Sequence, residues 1–232
     1  MKPLITLLFL VFLSVGVRAQ KIDPETLEVK DSTGKQYAVE VWQKLVFSGR
    51  YSLQINNDMK TALLVKLSEE EATRRLLKAP KPRESIFFTT GESIAPFAEK
   101  DINGTQFDLK ALTGKVVVLN FWFINCGPCR MEIPELNEIA EAYKDNKDVV
   151  FLAVALDQRY EIQDFLKKIP FSYNIIGNGG SIAGKYGVNS YPTHAVVNRQ
   201  GKILFHTTGY AMNTVAWVKR SIQAALENKP LE

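Results

Sequence analysis

Phe121-Trp122-Phe123-Ile124-Asn125-Cys126-Gly127-Pro128-Cys129-Arg130 joins two kinds of sequence. Val116 to Phe123 is a run of apolar and aromatic residues broken only by Asn120, which reads as a strand buried on both faces of a parallel or mixed sheet. The pattern after it predicts a helix from about Pro128 to Tyr143. Pro128 suits the first helical position, where its missing N–H had no partner. Both cysteines of the chain therefore stand at a helix start. The first turn of a helix offers unpaired N–H groups and the positive end of the dipole, which stabilise a thiolate held there. Cys126 precedes the helix and is expected to be the more exposed, attacking sulfur. Cys129 lies one turn inside and is expected to resolve the mixed disulfide that the first attack forms.

A structural staple is the competing use of two cysteines. The loop they close is so short that chain entropy gives only about 2 kcal/mol, and a chain of 232 residues can bury a core unaided. The spacing favours redox chemistry.

Downstream, Val149 to Leu156 reads as a second buried strand and Glu161 to Lys168 as a helix. Ile175-Ile176 is a short strand and Ile182 to Tyr186 a short helix. His194–Asn198 and Ile203–His206 are strands around the turn Arg199-Gln200-Gly201, and Asn213 to Leu226 is an amphipathic closing helix. This alternation predicts an α/β layout with helices on both faces of a sheet. Upstream, Ile94 to Phe97 is extended, Asp101 to Thr105 a turn, and Phe107 to Leu109 a short strand. Further back, Gln36 to Trp42 alternates and reads as a strand, followed by strands over Arg50–Ile55 and Lys60–Leu67. Ser68 opens a short helix with Glu71 as its capping-box partner, and Lys78-Ala79-Pro80-Lys81-Pro82 ends it. The expected division is 1–19, a β-rich extension over 20–85, and an α/β domain over 86–232.

Lys2 followed by the apolar run Leu4 to Val17 and the small residues at Val17 and Ala19 reads as a secretory signal peptide cut after Ala19. The alternative is an uncleaved membrane anchor, for which the run is short of the 18 or so residues a span needs. Either way the protein is expected in the periplasm or otherwise outside the cytoplasm. Composition is globular, with 46% hydrophobic and 23% charged residues. The net charge of +4 is scattered, which argues against nucleic acid as a partner. With only two histidines, a His-rich metal site is not expected. A Cys2His2 set of Cys126, Cys129, His194 and His206 lacks ligand spacing, so no metal is assigned and both histidines read as ordinary strand residues.

The Cys-Gly-Pro-Cys motif, the Phe121-Trp122 before it and Tyr191-Pro192-Thr193 downstream resemble the thioredoxin superfamily. Ala95-Pro96-Phe97, the strand Val117 to Trp122 and Glu132 make the chain similar to its extracytoplasmic TlpA/ResA branch of thiol–disulfide oxidoreductases. The resemblance covers about 86–228 and not the extension. It implies a thioredoxin-like fold, a central mixed sheet flanked by helices, with no cofactor beyond the Cys126–Cys129 disulfide. It also implies that Pro192 is cis and that Tyr191, Thr193, Gly127 and Pro128 border the substrate groove. Trp122 is expected to pack beneath the site and Gly209 to be a close-approach glycine near the groove. Cytoplasmic thioredoxins carry a buried Asp where this chain has Asn120, which cannot accept a proton. Glu132, three residues beyond Cys129 on the same helix face, is the substitute; the bland alternative is a surface carboxylate favoured by the helix dipole. Asn125 stands where thioredoxins have Trp.

The implied activity is reduction of disulfides in extracytoplasmic protein substrates, apocytochrome c being one such substrate class, with electrons from a membrane thiol donor. A disulfide oxidase or isomerase would use the same pair in reverse. A Cu(I)-handling chaperone could use two soft thiolates but usually has wider cysteine spacing and a nearby His. A peroxidase would need a single activated cysteine.

Overall fold

The structure is a computed structural model and describes residues 22–231; the signal-peptide reading over 1–19 lies outside the described residues. In chain order the elements are β1 (Glu28–Lys30), β2 (Gln36–Tyr37), α1 (Val39–Phe47), β3 (Tyr51–Ile55), β4 (Thr61–Lys66), α2 (Glu69–Lys78), β5 (Ala98–Lys100), β6 (Gln106–Asp108), β7 (Val116–Trp122), α3 (Gly127–Ala142), β8 (Val149–Ala155), α4 (Arg159–Leu166), β9 (Asn174–Ile176), α5 (Gly180–Lys185), β10 (Thr193–Val197), β11 (Ile203–Thr208) and α6 (Thr214–Leu226).

Every residue of β7 is buried because the strand lies at the centre of a five-stranded sheet ordered β11-β10-β7-β8-β9. β7, β8 and β9 run parallel, while β10 is antiparallel to both β7 and β11, so the sheet is mixed. The two-residue period of β7 divides the core. Val116, Val118 and Trp122 face a cluster with Ile133 and Leu136 of α3, Ile162 of α4 and Trp217 and Ile222 of α6. Val117, Leu119 and Phe121 face the other cluster, with Ile182 of α5 and Phe88 and Phe97 from the approach to the domain. By the same period Asn120 points toward α3. The fold is thioredoxin-like, with strands added at its N-terminus.

Those N-terminal strands form a separate four-stranded sheet, β2-β1-β4-β3, packed with Trp42 over Val29, Ala62 and Leu64. The expected strand over Gln36–Trp42 stops at Tyr37, and the chain continues as helix α1. The alternation of Tyr37, Val39 and Val41 is real, but Val39, Trp42 and Val46 also recur at helical spacing. Tertiary packing chose the second pattern, because it buries Trp42 on the sheet. The capping box at Ser68 forms as read, with Ser68 Oγ accepting the Glu71 N–H and Glu71 accepting from Ser68.

The small sheet is tied to the back of α3. Arg50 reaches Glu138 at 2.9 Å and Glu135 at 3.5 Å. Lys219 of α6 pairs with Glu69 of α2, and the Asn213 amide donates to the carbonyls of Leu76 and Pro80. The chain then runs along β11. The Ser85 N–H donates to His206 Nδ1, the Thr207 hydroxyl to the Arg83 carbonyl, and Gly91 and Ile203 exchange backbone bonds with Ile203 and Glu92. This strap covers a sheet edge that would otherwise present unpaired backbone.

Candidate active site

Cys126 caps α3 in an extended conformation, and its sulfur accepts the Cys129 N–H at 3.2 Å. The two sulfurs are bonded, with Cα atoms 5.3 Å apart. Cys126 was expected to be the more exposed of the two, and the difference is slight: the residues are 5% and 3% exposed, both buried. In the disulfide, Cys126 Sγ lies over the first turn of its own helix, where the Cys129 N–H reaches it. Gly127 and Pro128 between them are exposed.

The loop from β7 into α3 is pinned from β8. Asp157 accepts the Ile124 N–H at 2.7 Å, and the Leu156 N–H donates to the Trp122 carbonyl. Sequence reading did not single out Asp157; its anchoring role exists only through the parallel pairing of β7 with β8. Trp122 is fully buried and packs on Phe165 and Phe171, each 5.5 Å away between ring centres.

The Tyr191–Pro192 bond is cis. Thr193 pairs with Phe121 at the end of β7, so Pro192 and the cysteine loop leave the same end of the sheet. Phe123 meets the Tyr191 ring edge-on at 5.5 Å, joining the two loops. The Tyr191 hydroxyl donates to the Val188 carbonyl. Thr193 does not offer its side chain to a groove: it is fully buried, with its hydroxyl on the Ser190 carbonyl and beside the Thr208 hydroxyl. Gly209 is not a close-approach glycine, since a Cβ there would meet nothing within 4 Å. It is required by its backbone, at φ +79°, which lets its N–H donate to the Pro192 carbonyl at 2.8 Å.

Glu132 is not a surface carboxylate. It is 2% exposed, on the face of α3 that meets the sheet. Its Oε2 lies 2.8 Å from His194 Nε2, and its Oε1 has no hydrogen-bond partner among the described residues. His194, read from sequence as an ordinary strand residue, is fully buried and pairs in register with Asn120, whose Nδ2 lies 3.4 Å from both ring nitrogens. The available sequence signal was a polar side chain opening an otherwise apolar strand. The partner 62 positions away was not legible.

Neighbouring groups respond to this buried carboxyl group and to burial itself. Burial first, and Glu132 second, push the Tyr173 phenol well above its ordinary range; its hydroxyl is buried without a partner. Tyr210 is raised by burial, then by Glu135 and Glu132. Glu135 is raised mainly by burial, against the opposing pull of Arg50. No group of three or more metal-ligating side chains occurs among the described residues.

Residues 90–206 match the AhpC/TSA family. Among curated relatives, the thiol-disulfide oxidoreductase ResA of Bacillus thuringiensis (strain Al Hakam) is 33% identical over 121 residues, 51% of this chain and 69% of that protein. The thioredoxin-like protein YneN of Bacillus subtilis is 28% identical over 123 residues, 52% of this chain and 72% of that one. Among solved structures, a putative thiol:disulfide interchange protein DsbE from Chlorobium tepidum has a TM-score of 0.55 at 31% identity, covering 60% of this chain and 99% of its own. A putative protein disulfide isomerase from Bacteroides thetaiotaomicron has a TM-score of 0.57 at 27% identity, covering 63% and 95%. A bonded cysteine pair at the start of a helix, a cis proline at the same end of the sheet and these likenesses agree: the chain belongs to the AhpC/TSA family and stands there with the ResA-like thiol–disulfide oxidoreductases.

Proposed function

We propose that the protein works in the reducing direction on disulfides of extracytoplasmic proteins. The observation that carries the reading is the helix-start pair itself, in which the Cys129 N–H donates to Cys126 Sγ. The same donor is available to a Cys126 thiolate once the pair is reduced. The thiolate attacks one sulfur of the substrate disulfide and displaces the other. Glu132 then takes the Cys129 proton, and the Cys129 thiolate attacks Cys126 Sγ and displaces the second substrate sulfur. Two electrons have passed to the substrate, and the Cys126–Cys129 bond is restored. Pro192 and the backbone of Thr193 receive the substrate chain, with Tyr191, Gly127 and Pro128 at the rim. Asn120 and Trp122 support the site from below, and Gly209 holds the Pro192 carbonyl.

Gly127-Pro128 between the cysteines supports reduction rather than oxidation. A membrane thiol donor would return the two electrons. The extracytoplasmic setting rests on the apolar segment before Ala19; among the described residues no helix is long and apolar enough to cross a membrane. Residues 22–85 act as a packed extension bracing the back of α3 through Arg50. The deciding measurement is the equilibrium reduction potential of the pair. A value near or below about −250 mV supports a reductase, whereas about −120 to −180 mV would overturn that direction and favour an oxidase or isomerase.

A further inference from the structure

A carboxyl group buried in an apolar core needs a donor. Among the described residues Glu132 has one, the His194 ring at 2.8 Å. The hydrogen-bond network assigns the tautomer. Nε2–H donates to Glu132 Oε2, which leaves Nδ1 to accept from the Asn120 amide at 3.4 Å. An amide can make that bond without competing for the imidazole N–H, which gives Asn120 a reason to be neutral. The strand register aligns His194 with Asn120 two residues after the cis proline, so the element that carries Pro192 also carries the donor to Glu132. With Oε2 engaged, Oε1 is a buried acceptor without a partner, on the helical turn that follows Cys129. In the disulfide there is no thiol proton for it to receive. Reduction supplies one.

We infer that His194 is a positioning residue for this reaction: its bond to Oε2 orients the Glu132 carboxylate so that Oε1 receives the Cys129 proton during resolution. The inference rests on the reading of Cys126 as attacking and Cys129 as resolving sulfur. Asn120 of β7 lies against the His194 ring, and Tyr173 before β9, Tyr210 before α6 and Glu135 on the next turn of α3 are close enough to feel Glu132. None of the other side chains in this set donates a hydrogen bond to Glu132 in the structure.

The test is single-turnover reaction of the reduced protein with 5,5′-dithiobis(2-nitrobenzoate). Attack by Cys126 releases one aromatic thiolate, and attack by Cys129 on the resulting mixed disulfide releases the second. The probe gains two electrons, and the protein gives up two electrons and two protons. The two releases are two phases of one absorbance trace. His194→Leu should leave the first phase close to parent and slow the second by about 100-fold or more, since a positioned general base contributes typically about 10²–10⁴-fold. Glu132→Gln should slow the second phase to the same degree, and the double variant no further, because the two act as a unit. His194→Gln keeps an N–H donor of similar reach and should restore the second phase; it also serves if the leucine variant fails to fold. Equal slowing of both phases, a glutamine variant as slow as leucine, or additive losses in the double variant would each overturn the role of His194. A normal first phase with an unchanged second phase in His194→Leu would overturn only this inference. Absence of the first phase in the parent would overturn the assignment of Cys126 as well.

Discussion

Asn120→Asp tests whether the buried pair tolerates a second carboxylate. Asn120 Nδ2 is 3.4 Å and Glu132 Oε2 is 2.8 Å from the same His194 nitrogen. The two polar atoms therefore lie no further apart than about 6 Å. Two negative charges at about 6 Å repel by about 2.7 kcal/mol at an effective dielectric of about 20. One imidazole N–H serves both, and Asn120 is only 2% exposed, so water offers little relief. The introduced carboxyl should keep its proton in the folded state to a pH above the ordinary aspartate value of about 3.9. Stability is then retained below the unfolded-state value and lost as pH rises through the higher folded-state value. Urea unfolding of the oxidised protein measures this without interference from thiols. The variant should lie within about 1 kcal/mol of the parent near pH 4 and fall about 2–3 kcal/mol below it at pH 8. An equal loss at both pH values, or none at pH 8, would refute the picture of a ring whose single N–H is already committed to Glu132.

Cys129→Ser should trap a mixed disulfide on Cys126, seen as a mass adduct removed by dithiothreitol, while Cys126→Ser should trap none. Arg50→Ala should cost about 0.5–1 kcal/mol at neutral pH, the two side chains of its bridge to Glu135 being 29% and 24% exposed. Burial already raises Glu135 and Arg50 opposes that rise, so the loss should shrink toward acidic pH, where the protonated carboxyl no longer needs a counter-charge. Unfolding curves at two pH values would check the sign. Gly209→Ala should cost about 1–2 kcal/mol from backbone conformation alone, since a left-handed φ burdens any residue with a Cβ and the space around it is open. A variant as stable as the parent would refute that account.

The buried strands were legible because each is a local signal. Val116–Trp122 and Val149–Ala155 are apolar runs with no helical gap, and the ends read from sequence differ by a residue. Val39–Phe47 was misread because its apolar residues fit both periods, and only the sheet beneath Trp42 separates them. Gly209 was noticed for the wrong reason, since a positive φ and a close approach leave the same glycine in a sequence.

Readable along the chain were the cysteine pair, its location between a buried strand and a helix, the capped helix at Ser68 and the α/β order of the half that carries the cysteines. All of these depend on spacing along the chain and on hydrogen bonds between near neighbours. Long-range packing alone buries Glu132, makes His194 its donor, sets Asn120 across from that ring and lets Arg50 brace α3. Those partners are 62 to 88 residues apart along the chain. What brings them together is the register of β10 against β7 and the packing of both strands on α3, and neither leaves a periodic trace at any one of the residues involved.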